Sequence, residues 1–415
     1  MVPIASAKPK WLTARRLSAQ GISLALGLWI VYAWVLSTPG LRDRNGLIKG
    51  TDFLHFYTLG LLAREHRGAD LYNIPQQTQL LGQRIPEAAQ TTYLPLYAPQ
   101  VSLLFGPFAK LSYPMALVAW LLCSSVLYGL CVFSVWRTCP HLRPYSQPVL
   151  ILALASPAFF NLIAWGQNSA IALACFTAAY LFLRGQREFA AGLALGCLVF
   201  KPQLLLVTAI VFCAMLAWRA LAGAAITGAA QLLLGWAYYG TAAMRSYVHQ
   251  ITHVEYMLPQ LEPRIEQTHC LRTFWQMLIP DPPIANLLYV FCSLLVVWMT
   301  LQCWRSMLPL SLRYSALLLA TVLVSPHLTV YDLVILAPAL LFVADWVKAW
   351  GWDSISERFL IALYLVYLLP LLGILARWSR VQLSVVAMTL LLWMICRLPV
   401  RLSSPNQVSG VANAR

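Results

Sequence analysis

Only 14 of the 415 residues are acidic, so each carboxylate near an apolar stretch can be weighed singly. Asp52 stands in Gly50-Thr51-Asp52-Phe53-Leu54-His55-Phe56-Tyr57, at the head of a short apolar helix. An Asp there can be a plain N-cap that satisfies free backbone N–H groups and suits the helix dipole. It can also be a general base, with His55 one turn on along the same helix face. Lys201-Pro202-Gln203 divides the apolar runs LALGCLVF and LLLVTAIVF. Proline forbids smooth helix continuation and drives the preceding residue out of the helical region, so Lys201 is presented at a break. It reads either as a snorkelling lysine at a turn or as a cation facing a lipid phosphate. Ser325-Pro326-His327 repeats the device, and Tyr331 and Asp332 follow at the start of the next apolar run. A carboxylate one turn into a hydrophobic helix is costly, which marks Asp332 as functional unless it makes a structural hydrogen bond to a neighbouring helix. Gln167 and Asn168 can hydrogen-bond a hydroxyl-rich ligand or simply cap a helix. Tyr93, Tyr97 and Gln100 can line a cleft, although tyrosines also form belts at membrane interfaces.

Other chemistry finds little support. His249 and His253 lie four apart with Glu255 near, a metal pair if helical, but a solvated loop is the simpler reading. Cys139 with His141 and Cys270 with His269 are too sparse for zinc. No phosphate-binding Gly-rich loop, dinucleotide fingerprint or nucleophile elbow occurs in a supporting context. We therefore expect no metal, no cofactor and no ATP-driven transport.

The elements that must position these residues follow from composition. The chain is 60% hydrophobic and 10% charged, against about 25% charged in an ordinary globular domain, so it cannot cover a water-soluble surface. Its formal charge of +15 comes from Lys and Arg placed singly between apolar runs rather than in one patch, which excludes nucleic acid as partner and fits membrane orientation. The basic opening MVPIASAKPKWLTARR precedes an apolar run with no persuasive cleavage site and reads as a retained first span. Most of the ten cysteines lie in apolar runs, where they behave as small hydrophobes and imply no disulfide framework.

About twelve spans are expected. They run over Leu17 to Thr38, Pro114 to Trp136, Pro148 to Ala164, Ser169 to Leu183, Glu188 to Phe200, Gln203 to Trp218, Leu221 to Tyr238, Ile284 to Trp304, Leu312 to Val324, Thr329 to Val347, Arg358 to Ala376 and Val381 to Cys396. A cytoplasmic N-terminal segment, 1–16, then precedes one membrane domain, 17–399, and a disordered polar tail, 400–415. A first outer loop covers 39–113 and a second 239–283. With the amino terminus inside, Arg137 to Arg143, Arg184 to Arg187, Arg219, Arg305, Lys348, Arg397 and Arg401 also fall inside. Asp52, Gln167-Asn168, Lys201-Pro202-Gln203, the second loop and Ser325-Pro326-His327 then share the outer, periplasmic or extracellular face of a cell membrane. Asp52 to Glu65 and Leu96 to Leu111 are too short to cross and are expected to lie along the interface.

With those residues placed, the sequence resembles the polyprenol-phosphate-mannose-dependent mannosyltransferases of glycosyltransferase family 87, in the GT-C superfamily. The resemblance covers roughly residues 17–345. It rests on the ordered set Thr51-Asp52-Phe53-Leu54-His55-Phe56-Tyr57, Asp70-Leu71-Tyr72, Tyr93-Leu94-Pro95-Leu96-Tyr97-Ala98-Pro99-Gln100, Gly166-Gln167-Asn168-Ser169, Phe200-Lys201-Pro202-Gln203 and Ser325-Pro326-His327 with Tyr331-Asp332. Many relatives have two adjacent prolines where this chain has Ala98-Pro99, a departure that bears on cleft shape. The resemblance implies an all-α integral membrane fold, a GT-C-like bundle, with a polyprenyl-phosphate-linked sugar as donor and a catalytic Asp in the first outer loop, here Asp52. A lipid or glycan would be the acceptor and mannose or another hexose the sugar. Asp52 would deprotonate the acceptor with inversion at the anomeric carbon. Lys201 and His327 would meet charge on the departing phosphate, with His55, Tyr57, Tyr93, Tyr97, Gln100, Gln167, Asn168, Gln203, Tyr331 and Asp332 around the substrates. The rival reading is a secondary transporter or a flippase of lipid-linked sugars. It calls for ionisable residues near the midplane and two related halves, whereas the polar breaks here gather on one face and no internal symmetry is evident.

Overall fold

The computed structural model describes residues 13–257, 260, 262, 264–350 and 354–398. Among them there is no β-strand, only isolated bridges between Arg42 and Ile48 and between Thr268 and Thr329. Six helices are long and apolar enough to cross a membrane: Ala14–Leu36, Tyr113–Arg137, Trp218–Thr252, Pro282–Arg305, Val330–Trp350 and Ser354–Leu372. A seventh candidate is the pair Pro140–Leu154 and Pro157–Trp165, bent by 44°. Ser169–Arg184, Glu188–Phe200, Pro202–Ala214, Leu310–Val324 and Leu383–Cys396 are apolar but shorter than a simple span. The chain is an all-helical, multi-pass membrane protein.

Local chemistry explains where these helices begin. Ser156 and Asp281 each accept a backbone N–H three residues on, and each is followed by proline at the first helical position. Small residues set the closest approach. Gly192 and Gly196 press against Ala220 and Ala224 of Trp218–Thr252, and Gly223 presses back on Phe189, leaving no room for a Cβ at any of the three glycines. With no water to drive association inside a bilayer, such backbone proximity is a main source of helix pairing.

Two sequence expectations change here. Half of the expected second outer loop is helix: Trp218–Thr252 runs on past Tyr239, bending at Gly240 (φ 78°), because polarity rises there without any loss of helix-forming residues. The helix Thr51–Arg64 is not one-sided either. Every residue from Phe53 to Ala63 is buried within the protein. Phe53 stacks on Trp120 and Tyr113, and Phe56 stacks on Phe105 at 4.7 Å. This aromatic cluster is a second core beside the main one, and it fixes the helix that carries Asp52.

Candidate active site

Asp52 is not the N-cap of its helix. Gly50 holds that place in the left-handed conformation, and no side chain caps the helix. The partly exposed Asp52 carboxylate instead accepts a hydrogen bond from Gln167 Nε2 at 2.5 Å. Gln167 is delivered by a turn built for it. Gly166 ends Pro157–Trp165 at φ 69°, where an added Cβ would sit 2.7 Å from Phe53 Cβ. Trp120 Nε1 donates to the Gly166 carbonyl at 2.8 Å. The turn is thus pressed onto the very start of the Asp52 helix. Burial raises the Asp52 pKa, which the Gln167 hydrogen bond and Lys201 lower and Asp332 raises; the outcome is a carboxyl moved from 3.8 up to about 6.

Lys201 lies between two 3-10 turns, Cys197–Phe200 and Pro202–Leu205, as the proline requires. It is buried, with Nζ 2.5 Å from Asp332 Oδ1 and 2.9 Å from Ser169 Oγ. Ser169 Oγ in turn donates to the same Asp332 oxygen at 2.5 Å. Asp332 also closes a capping box with Thr329 at the head of its own segment. Asp332 thus makes the structural hydrogen bonds to neighbouring elements that one of its two sequence readings expects, and it also caps its own segment, which residue type alone does not announce. Lys201 Nζ lies 5.5 Å from the centre of the Tyr331 ring.

A second ion cluster adjoins this one. Glu262 takes His327 Nδ1 at 2.6 Å on one oxygen and Arg272 on the other. Arg272 also donates to the Pro326 carbonyl and to Gln276 Oε1, so it pins the Ser325-Pro326-His327 break in place. Burial pushes the Glu262 carboxyl up, but the hydrogen bonds from His327 and Arg272 outweigh it and hold it below its ordinary value. His327 stands five residues before Asp332, so the two clusters are joined along the chain.

Three tyrosines adjoin these clusters. Tyr93 donates to the Thr51 carbonyl and Tyr97 faces Asn168; burial raises the pKa of both, and Asp52 nearby adds to it. Tyr331 sits over Lys201, and His55 lies with its ring 5.0 Å from Tyr93 and 5.9 Å from Tyr97. Asp52, His55, Tyr93, Tyr97, Gln167, Asn168, Lys201, Tyr331 and Asp332 are therefore brought together, with His327 alongside. Buried Gln100 packs against Gly235 with no hydrogen-bond partner for its amide. Gln203 is half-buried in the turn after Lys201 and takes part in none of the cluster's hydrogen bonds.

Tyr57 falls elsewhere. Its hydroxyl donates to the Leu111 carbonyl at 2.8 Å, and it lines a separate cavity of about 510 Å³ with Arg64, Glu65 and Arg84 on the reverse side of the helix. Five residues at 100° each carry it about 140° round from Asp52, whereas His55 stays near the Asp52 face. Ser169, Glu262, Arg272 and Thr329 belong to the clusters although residue-type reasoning passed over them. Glu262 carried one usable signal, the scarcity of acidic residues. Among the described residues, no three His, Cys, Asp or Glu side chains are grouped to hold a metal.

Residues 96–326, more than half of the chain, match the sequence profile of glycosyltransferase family 87. The match contains Lys201, Gln167, Asn168, Glu262 and Arg272; Asp52 and Asp332 flank it. No curated protein and no solved structure matches the chain.

Proposed function

Starting from a chain that belongs to glycosyltransferase family 87, and so is a membrane glycosyltransferase with a sugar donor and an acceptor, we propose that it takes a hexose, mannose in the first instance, from a polyprenyl-phosphate donor. The sugar passes to a lipid or glycan acceptor at the outer face of the membrane. The observation that carries this reading is the Asp52 carboxylate, positioned by Gln167, raised to about 6 and facing the Lys201–Asp332 pair.

Asp52 removes the proton from the acceptor hydroxyl as that oxygen forms its bond to the anomeric carbon, and the bond from that carbon to the phosphate oxygen breaks on the opposite side. The product is inverted and the polyprenyl phosphate departs with the electron pair. A base with a pKa near 6 is largely ionised at neutral pH and still basic enough to share a proton in the transition state. Lys201 contributes through what its pairing leaves free. An ammonium has three donors, and Asp332 and Ser169 take two of them. The third is available to the departing phosphate, held at fixed position by its two partners. His327 acts in the same way in its imidazolium form: Glu262 engages Nδ1 and orients the ring, and the protonated Nε2 then donates to phosphate.

A lipid-linked donor also needs a place for its tail. An apolar cavity of about 430 Å³ runs along one face of the Val330–Trp350 segment, touching Leu333, Ala337, Leu340, Ala344 and Lys348, with Tyr367 opposite. Its upper end begins one residue after Asp332, and fifteen residues of helix give it a length of roughly 20 Å. That is the chemistry and the shape for several isoprene units.

The test is transfer from radiolabelled polyprenyl-phosphate-mannose into membrane acceptors by the purified, reconstituted protein. Asp52→Asn should lower the rate by at least about 10²-fold, the ordinary contribution of a positioned base, while inserting and folding normally. Wild-type rates in that variant would end the assignment.

A further inference from the structure

His55 is buried, at 5% exposure, and neither ring nitrogen has a hydrogen-bond partner. Two unpaired nitrogens in the interior are a cost that folding alone gives no reason to keep, and such groups call for a water or a ligand. The ring is held between Tyr93 and Tyr97 on the Asp52 face of its helix. Asn168, at 1% exposure, lies just beyond Tyr97 with its Oδ1 equally without a partner. Burial lowers the His55 pKa from 6.5 to about 4, so the imidazole is neutral throughout the range in which Asp52 ionises. A neutral imidazole offers one N–H donor and one acceptor nitrogen. That is the complement of a sugar hydroxyl, which donates and accepts through one oxygen. Aromatic rings on either side suit the C–H face of a pyranose.

We propose that His55 is a specificity-determining residue that hydrogen-bonds one hydroxyl of the transferred hexose, with Asn168 Oδ1 as the second contact of the same subsite. The proposal rests on the reading of this cluster as the sugar site, and it separates two roles on one helix face. Asp52 moves the proton; His55 recognises the sugar and stays uncharged. A purely structural imidazole would have no reason to sit without partners where a phenyl ring packs as well.

Three measurements on His55→Phe and His55→Gln test this. Transfer is followed with polyprenyl-phosphate-mannose and with analogues deoxygenated singly at each ring hydroxyl. Wild type should lose roughly tenfold or more in kcat/KM for one particular deoxy donor. His55→Phe should show a loss of that size with the parent donor and no further loss with that deoxy donor, because the two changes remove the same hydrogen bond. His55→Gln, which keeps a donor and an acceptor, should recover part of the activity. The acid limb of the pH profile should stay at its wild-type position in both variants.

In the absence of donor, His55→Phe should melt higher than wild type, since it removes two unpaired nitrogens from the interior. Losses that multiply for every deoxy donor would overturn the proposal, and if the apparent KM for acceptor rises instead, the contact belongs to the acceptor sugar. A lower melting temperature for His55→Phe would also overturn it, by showing that the ring nitrogens have protein partners. If wild type fails to use any polyprenyl-phosphate hexose, the donor reading falls, while the melting comparison still decides whether His55 is unpaired.

Discussion

If Asp52 is the base, as proposed, it and its amide partner set the pH behaviour of transfer. Because burial raises the Asp52 pKa to about 6, the base is half-protonated there rather than near pH 4. The ionised fraction falls as pH drops through 6, so the rate of transfer should show an acid limb centred near pH 6. The Gln167 hydrogen bond favours the ionised form, hence Gln167→Leu should move that limb to higher pH and lower the rate at pH 6.5 more than at pH 8. A limb that stays in place would remove Gln167 from the site. The same shift has a stability sign: a carboxyl whose pKa is higher folded than unfolded favours the folded state when protonated, and that contribution is lost as pH rises from about 4 to about 6. Asp52→Asn should therefore melt no lower than wild type at pH 7, which separates lost chemistry from lost folding. Much of this site could be read from residue types alone, because Asp52, Lys201 and Asp332 are rare ionisable groups beside helix breaks. Arg272 could not, and Glu262 only through the scarcity of acidic residues, since each looks like an ordinary charge in a polar loop until the chain folds the loop onto Pro326. Tyr57 was misplaced for a related reason: a short helix that reads apolar throughout gives spacing but does not say which face meets the site.

Between residue and molecule, the elements act as spacers, and glycine decides how closely they meet. At Gly166 a Cβ would meet Phe53 while the backbone stays left-handed, a conformation that costs an L residue about 1 kcal/mol even without the clash. Gly166→Ala should lift the turn from the Asp52 helix, weaken the Gln167 bond and reproduce the pH shift of Gln167→Leu, together with a lower melting temperature. Gly223→Val should damage packing and spare the site residues: its Cβ would collide with backbone of the Glu188–Gly196 helix, so destabilisation of about 1–3 kcal/mol or more is expected in thermal unfolding of the solubilised protein. Any surviving folded fraction should keep the acid limb near pH 6. Each apolar run expected as a span contains helix, since hydrophobicity and proline breaks are local signals. Length was less legible. Several of these helices are nine to sixteen residues long because the turns at Gly166, Lys201 and Ser325 end them early. What those turns do with their polar groups depends on partners more than a hundred residues away.

At the scale of the whole molecule the chain has two chemically distinct ends. Ser169, Asp332 and Ser325 stand at the site ends of helical segments whose other ends carry Arg184, Lys348 and Arg313. At the second end Asp345 accepts from the backbone of His141 and Leu142, Arg313 lies over Trp304, and Lys348 lies over Tyr145. Arg184, Lys348 and Arg313 thus stand at the ends of these segments away from the site residues. The apolar cavity is lined from Leu333, the residue after Asp332, to Lys348. If that cavity holds the donor's tail, a bulky side chain about three-quarters of the way along it should matter only to donors long enough to reach it. Ala344 lies eleven residues beyond Leu333, roughly 16 Å along the helix, or about three isoprene units from the phosphate. Ala344→Trp should therefore raise the apparent KM for a donor of ten or more isoprene units by roughly tenfold, the equivalent of about 1.4 kcal/mol of lost burial. A mannosyl phosphate on a two-isoprene chain should be used by Ala344→Trp as well as by wild type, because its tail ends short of the substituted position. Equal losses with both donors would mean that the tail takes another path, and that the substitution had disturbed the bundle itself.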